Sequence, residues 1–200
     1  MASVGSDPSV SRFERRATGY ETGVRGRWHA EIVERTAALT RTVMPDTGRV
    51  LDVGCGSGAL LRLLARDASD LTFVGVDPAS RMLVVAAGQP TIVRSQLARS
   101  TAEALPLRAA TFDVVVSSVS FGHWPDQRRG LGECRRVLVD GGSLVLVDVF
   151  ARWLNMMSRR GNRTSANTRS HTTALLHGLG FADVEWHDVD RRVIGALVAR

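Results

Sequence analysis

The sequence predicts an α/β fold, a single doubly wound domain on a mostly parallel sheet whose last strand runs antiparallel. Three observations carry this. Short apolar runs with strand character alternate with helical runs along most of the chain, and strands separated by helices imply a parallel sheet covered on both faces. Val50-Leu51-Asp52-Val53 passes through glycines at Gly54, Gly56 and Gly58 directly into a helical pattern, Ala59 to Leu64. Such a turn brings bare backbone and unpaired helix N–H groups close to a ligand. The last two strand-like runs are linked only by Asp190-Arg191, too short for a crossover, so they pair as an antiparallel hairpin.

Residues 1–11 are small and polar and read as a disordered tail. A short helix is expected at 12–16 and a loop from Gly19 to Gly26. Trp28, Ile32, Val33, Thr36, Leu39 and Val43 recur at helical spacing and stop before Pro45, which makes 12–45 a helical cover ahead of the sheet. Strands follow at 49–53 and 71–76, with helices at 59–66 and 79–87, the latter ending at Gly88. The third strand has two candidates, 91–93 and 96–100. Strand four is 112–117, a helix spans 126–137, and strand five is 143–150. A helix at 170–178 and strands at 184–189 and 192–199 complete seven strands in one domain over 12–200. The stretch 152–169 is irregular and basic, either a lid or a solvated loop.

The chain has 200 residues, enough for one full core. No apolar run approaches the roughly 20 residues of a transmembrane helix, and the polar start lacks a signal-peptide core. Cys55 and Cys134 are the only cysteines, which fits a reducing cytoplasm and neither a disulfide framework nor a metal cluster. Cys55 reads as a small packing residue rather than a nucleophile. All 26 basic Lys+Arg positions are arginine. That composition suits a G+C-rich bacterial genome and excludes a phosphate-loop or Schiff-base lysine. The net charge of +6 is explained by the same arginine bias in preference to nucleic-acid binding, whose mark is clustering rather than total charge.

The glycine turn alone is weak evidence, and its flanks sharpen it. Asp52, at the mouth of the turn, suits a ligand bearing an ammonium group and opposes a pyrophosphate. The second strand ends in Asp77, where an acid can accept both hydroxyls of an adenosine ribose. The spacing is G-x-G-x-G, not the G-x-G-x-x-G of nicotinamide-binding folds.

These residues resemble the class I S-adenosylmethionine-dependent methyltransferases of the small-molecule type. The matching stretches are 50–58, Val74-Gly75-Val76-Asp77-Pro78, 101–106, 112–117 and Arg136 to Gly142. The resemblance implies a Rossmann-like seven-stranded sheet and S-adenosyl-L-methionine as cofactor. It implies that Gly54, Cys55 and Gly56 pass beside the methionine moiety, with Asp52 facing its ammonium. Asp77 holds the ribose, while Pro78 and Met82 flank the adenine and Thr101, Ala102 and Glu103 reach its edge. Ser117 faces the methionine region, and Tyr20 closes over the sulfonium.

Methyl transfer needs in-line positioning and a base only for a protonated acceptor. The histidines are the candidates: His123, after strand four, and His29, on the first long helix, lead; His171 and His177 lie near or on the late helix, and His187 reads as structural. The acceptor pocket is expected between Tyr20, Trp28, His29, His123, Trp124 and Met156-Met157, whose aromatic and thioether groups suit a flat or lipidic ligand. Strand four ends in Ser117-Ser118-Val119-Ser120, without the Asn/Asp-Pro-Pro-aromatic signature of amino-methylating enzymes or the cysteine of cytosine-C5 enzymes. A cytoplasmic enzyme acting on a small-molecule acceptor (O, N or C) is the reading favoured. A non-catalytic cofactor-binding or regulatory protein, or an RNA methyltransferase, is the alternative.

Overall fold

A computed structural model describes residues 8–66, 68–89, 95–150, 168–190 and 194–200, without the side chains of Arg25 and Asp190. The sheet has seven strands: β1 (Gly48–Val53), β2 (Leu71–Asp77), β3 (Ser95–Arg99), β4 (Phe112–Ser118), β5 (Leu138–Val149), β6 (Val184–Asp190) and β7 (Ile194–Ala199). Their order is β3-β2-β1-β4-β5-β7-β6. The pairings from β3 to β5 are parallel, and β7 lies antiparallel between β5 and β6. The order turns back beside β1, where β2 lies on one side and β4 on the other. That makes the carboxyl ends of these strands the place for a ligand in a sheet of this kind.

The helices are α1 (Pro8–Arg16), α2 (Gly23–Arg41), α3 (Ala59–Ala65), α4 (Ser80–Ala87), α5 (Gln127–Val137) and α6 (Arg169–His177). Two apolar layers sandwich the sheet. Ile32, Val33 and Ala37 of α2 and Leu60, Leu61 and Leu64 of α3 pack on Val50, Val114 and Val116. On the other face Leu131 and Cys134 of α5 and Leu176 of α6 pack on Leu51, Val115 and Leu144. Alternate side chains of one strand thus feed opposite layers.

Several expectations shift. Helix α1 starts at Pro8, so residues 8–11 are helical rather than part of a tail; proline suits a first turn, and Val10 and Ala17 bury into a small cluster with Met82. The 19–26 loop ends at Thr22, and α2 begins at Gly23, three residues before Gly26. Gly26 lies inside the helix where the Glu21 carbonyl approaches so closely that a Cβ would sit 2.2 Å from its oxygen, so the position admits only glycine. The third strand follows the later alternative, while 91–93 lie outside the described residues. Strand β5 begins at Leu138, and its pairing with β4 shifts register between Phe112 and Val114.

Candidate functional site

The glycine turn is built by two neighbours. The amides of Gly54 and Cys55 donate to the Val76 carbonyl at 2.8 and 3.0 Å, tying the turn to the end of β2. Gly54 has φ +80°, and a Cβ on it would lie 1.9 Å from the Ser120 Oγ. Only glycine admits this approach of the segment after β4. The Cys55 sulfur turns inward to pack over Gly75, and burial, then Asp52 and Asp77, push its thiol well up. It is a packing residue, as the sequence suggests.

Asp77 is 8% exposed. Its Oδ2 accepts from the Gly56 amide at 2.9 Å and its Oδ1 from the Ala79 amide at 2.8 Å. Burial raises its pKa, against the pull of those two amides. Asp52 is 2% exposed and has no hydrogen-bond partner among the described residues. Burial and then the nearby Asp77 push it up to about 8. Two carboxylates facing one cavity, one of them unpartnered, form a receptor for positive charge.

That cavity encloses about 770 Å³, within the range of small-molecule sites. Its floor contains Asp52, Gly54, Cys55, Gly56 and Asp77, with Pro78 and Met82 beyond, and Thr101, Ala102 and Glu103 at the side. The 101–107 segment is braced from outside. Ser100 Oγ lies 2.8 Å from the carbonyls of both Thr101 and Ala104, sharing its one proton between them. Arg136 donates to the carbonyls of Leu105 and Leu107, and Glu133 accepts from the Leu105 amide. Glu103 itself accepts from the Asp126 amide at 3.2 Å.

The cover supplies the other wall. Its rings meet edge to face in series: His123 with Phe13 at 5.2 Å, Phe13 with Tyr20 at 6.1 Å, and Tyr20 with His29 at 5.0 Å. Burial raises the Tyr20 pKa, with Asp77 adding to it. Burial lowers that of His29 despite the opposing field of Glu21, so its imidazole is neutral at pH 7.

Two glutamates latch this cover to the sheet helices. Glu14 accepts from the amides of Ser80 and Arg81 at 2.7 and 2.9 Å, capping α4 in trans. Glu21 accepts from Ser57 Oγ at 2.5 Å and pairs with Arg62 at 2.6 Å, beside the start of α3.

The expected residues thus converge, with two corrections. Ser117 does not line the cavity; its Oγ is buried on the α5 side of the sheet without a partner. Strand alternation turns Ser118 inward instead, where its Oγ lies 3.1 Å from Thr36 Oγ1. Trp28 is 43% exposed and outside the lining, because α2 presents Ile32 and Val33 to the core. Trp124 is buried, donating from Nε1 to Ser120 Oγ at 3.0 Å. Met156 and Met157 lie outside the described residues. His171 and His177 sit on α6 and His187 on β6, away from the cavity. Sequence reasoning missed Val10 and Phe13, although their three-residue spacing ahead of Ala17 is helical.

Among the described residues, no group of histidine, cysteine and carboxylate side chains could hold a metal. No helix among them is long and apolar enough to cross a membrane.

Comparison with known proteins agrees with this geometry. A methyltransferase-domain family matches residues 51–146. The demethylmenaquinone methyltransferase of Thermotoga maritima is 33% identical over 69% of this chain and 60% of its own. That of Deinococcus radiodurans is 33% identical over 76% of this chain and 68% of its own. The first curated relatives are spanned over 55% to 65% of their length. In fold, a solved S-adenosylmethionine-dependent methyltransferase from Aquifex aeolicus superimposes with a TM-score of 0.70 at 16% identity, over 95% of this chain and 97% of that one. The chain belongs to the class I S-adenosylmethionine-dependent methyltransferases, whose cofactor is S-adenosylmethionine.

Proposed function

We propose that this protein moves a methyl group from S-adenosylmethionine to a small-molecule acceptor held under the ring-lined cover. The observation that carries this is the pair Asp52 and Asp77, buried at the turn of the β1 and β2 ends and facing one cavity. When bound, the cofactor supplies an electrophilic methyl on a sulfonium and adds an ammonium of like sign. Asp52 is the residue to hold that ammonium, since its carboxylate has no competing partner among the described residues. Asp77 retains lone pairs beyond its two amide contacts and can accept ribose hydroxyls. Ser118, in place of Ser117, offers a hydroxyl at the methionine side, and Ala102 and Thr101 border the adenine.

On the acceptor side Tyr20, Phe13 and His123 exclude water and orient a flat ligand. His29, neutral and inside the cavity, is suited to take a proton from a hydroxyl acceptor. Relatives named for demethylmenaquinone direct the first acceptor screen to quinone-type rings, then to phenols.

The test is calorimetric titration with S-adenosylmethionine, S-adenosylhomocysteine and NAD. Binding of the first two and not the third is expected. Binding of NAD alone, or of none, overturns the reading.

A further inference from the structure

We infer that Asp148 is a positioning residue that holds the turn after β4 and thereby places His123 in the cavity; its relevance to catalysis rests on the proposed function. The turn spans 118–124 and leaves the sheet by an uncommon route. Val119 has φ +53°, a left-handed conformation that a β-branched residue adopts only where its surroundings enforce it. The enforcement is visible. The Val119 amide donates to the Val147 carbonyl at 2.8 Å. Gln127, 8% exposed on α5, donates its Nε2 to the Phe121 carbonyl at 3.1 Å. Trp124 grips Ser120, whose Oγ lies over Gly54.

Asp148 completes this set from beneath. It is 2% exposed near the end of β5. Its Oδ2 accepts from the Gly122 amide at 2.8 Å and its Oδ1 from the Val149 amide at 2.6 Å. One carboxylate thus joins the strand backbone to the residue immediately before His123. An apolar side chain would fill the space but leave the Gly122 N–H buried without an acceptor. A carboxylate also grips amides more strongly than a neutral group does. Asparagine would keep the shape but turn its NH2 toward one of the two amides, so that only one contact survives.

The test is amide exchange and NMR on the wild-type chain and on Asp148→Asn. In the wild type the Gly122 amide should exchange on the order of 100-fold more slowly than a free peptide. In D148N its exchange should accelerate about tenfold or more, and the His123 ring signals should move as its contact with Phe13 changes. Protection of Val115 and Leu197 in the sheet centre should persist, and S-adenosylhomocysteine affinity should stay within about threefold, since Asp148 is outside the cavity lining. A fast Gly122 amide in the wild type overturns the assignment. So does a D148N protein with Gly122 and His123 unchanged. A D148N chain that does not fold, or that loses protection across β5 and β7 alike, also overturns it, because Asp148 is then a general core residue. Failure of the wild type to bind S-adenosylhomocysteine would strike the functional reading and leave the Gly122 and His123 readouts to decide this one.

Discussion

The two walls of the cavity are made of different material. The floor consists of backbone turns and buried carboxylates at the ends of β1 and β2. The cover consists of side-chain rings from α1, the connection that follows it, α2 and the turn after β4, tied down by Glu14 and Glu21. The floor falls inside the matched 51–146 stretch and the N-terminal part of the cover falls outside it. A floor that holds the cofactor and a cover that meets the acceptor would explain the contrast, because the first ligand is shared across the family and the second is not. Mutations that separate binding from turnover test this division.

Gly54 is where the walls touch, and it should give the largest effect. Gly54→Ala places a methyl inside contact distance of Ser120 at a positive φ. Both the floor turn and the 118–124 turn must then move. S-adenosylhomocysteine affinity should fall by roughly 3 kcal/mol or more, the scale of a severe backbone or packing conflict. A near-normal calorimetric titration would break the picture of a rigid junction.

His29→Phe should separate the walls cleanly. Phenylalanine keeps the edge contact with Tyr20 but removes the ring nitrogens. Turnover of a hydroxyl acceptor should fall about 10²-fold with cofactor affinity almost unchanged. If His123→Phe has that effect and H29F does not, the base is on the turn and not on α2. Because burial lowers the His29 pKa, activity that depends on neutral His29 should persist below the ordinary histidine range and decline only in more acidic buffer.

The floor has its own pH signature. Asp52 titrates near 8 before ligand arrives, so the empty site carries a proton through neutral pH. An ammonium beside it favours the carboxylate, and binding must then release that proton. Affinity should therefore rise as pH climbs from about 6 to 8, by at most about tenfold per unit, and level off above. The observed heat should depend on the ionisation enthalpy of the buffer. The empty protein should move the other way. A folded-state pKa above the ordinary value means stability that is full in acid and is lost as pH rises toward 8. A flat affinity profile would remove Asp52 from the ammonium site.

Legibility in the sequence follows the same division. The floor could be read because each of its functions needs a particular residue type at a fixed spacing: glycine where backbone closes on Ser120, an acid at each of two strand ends. The parallel sheet and its antiparallel final hairpin followed from alternating runs and a short final link, whereas the strand order is visible only in the fold. The cover was harder to read. Phe13 and Val10 lie in a nine-residue helix that tertiary packing on Met82 stabilises, and propensity alone says little at that length. Ser117 and Ser118 are adjacent and chemically identical, and the resemblance that pointed to Ser117 does not fix strand phase, so the hydroxyl that faces the cavity is its neighbour's. Trp28 was assigned to the pocket by its aromaticity, yet its position on α2 turns it to solvent.

The smallest expected effect bears on how the cover is held. Burial alone would raise the Glu21 carboxyl, but hydrogen bonds from Arg62 and Ser57 hold it below its ordinary value. Glu21→Gln keeps the size and one acceptor while removing the charge that faces Arg62. The pair is partly solvated, so the loss should be only about 0.5–1 kcal/mol, or roughly two- to fivefold in cofactor residence time. A pKa depressed in the folded state marks stability that is present above the unfolded value and lost as pH falls through the folded one. The wild-type latch should therefore loosen in acid, and E21Q should be insensitive to the same change. Stopped-flow displacement of S-adenosylhomocysteine at neutral and acidic pH reads both effects. If E21Q speeds release while leaving the association rate and the melting temperature nearly unchanged, the latch retains ligand by keeping the cover down. If it lowers the melting temperature and leaves release alone, Glu21 serves the fold near α3, and the cover stays closed through Glu14 and the ring contacts instead.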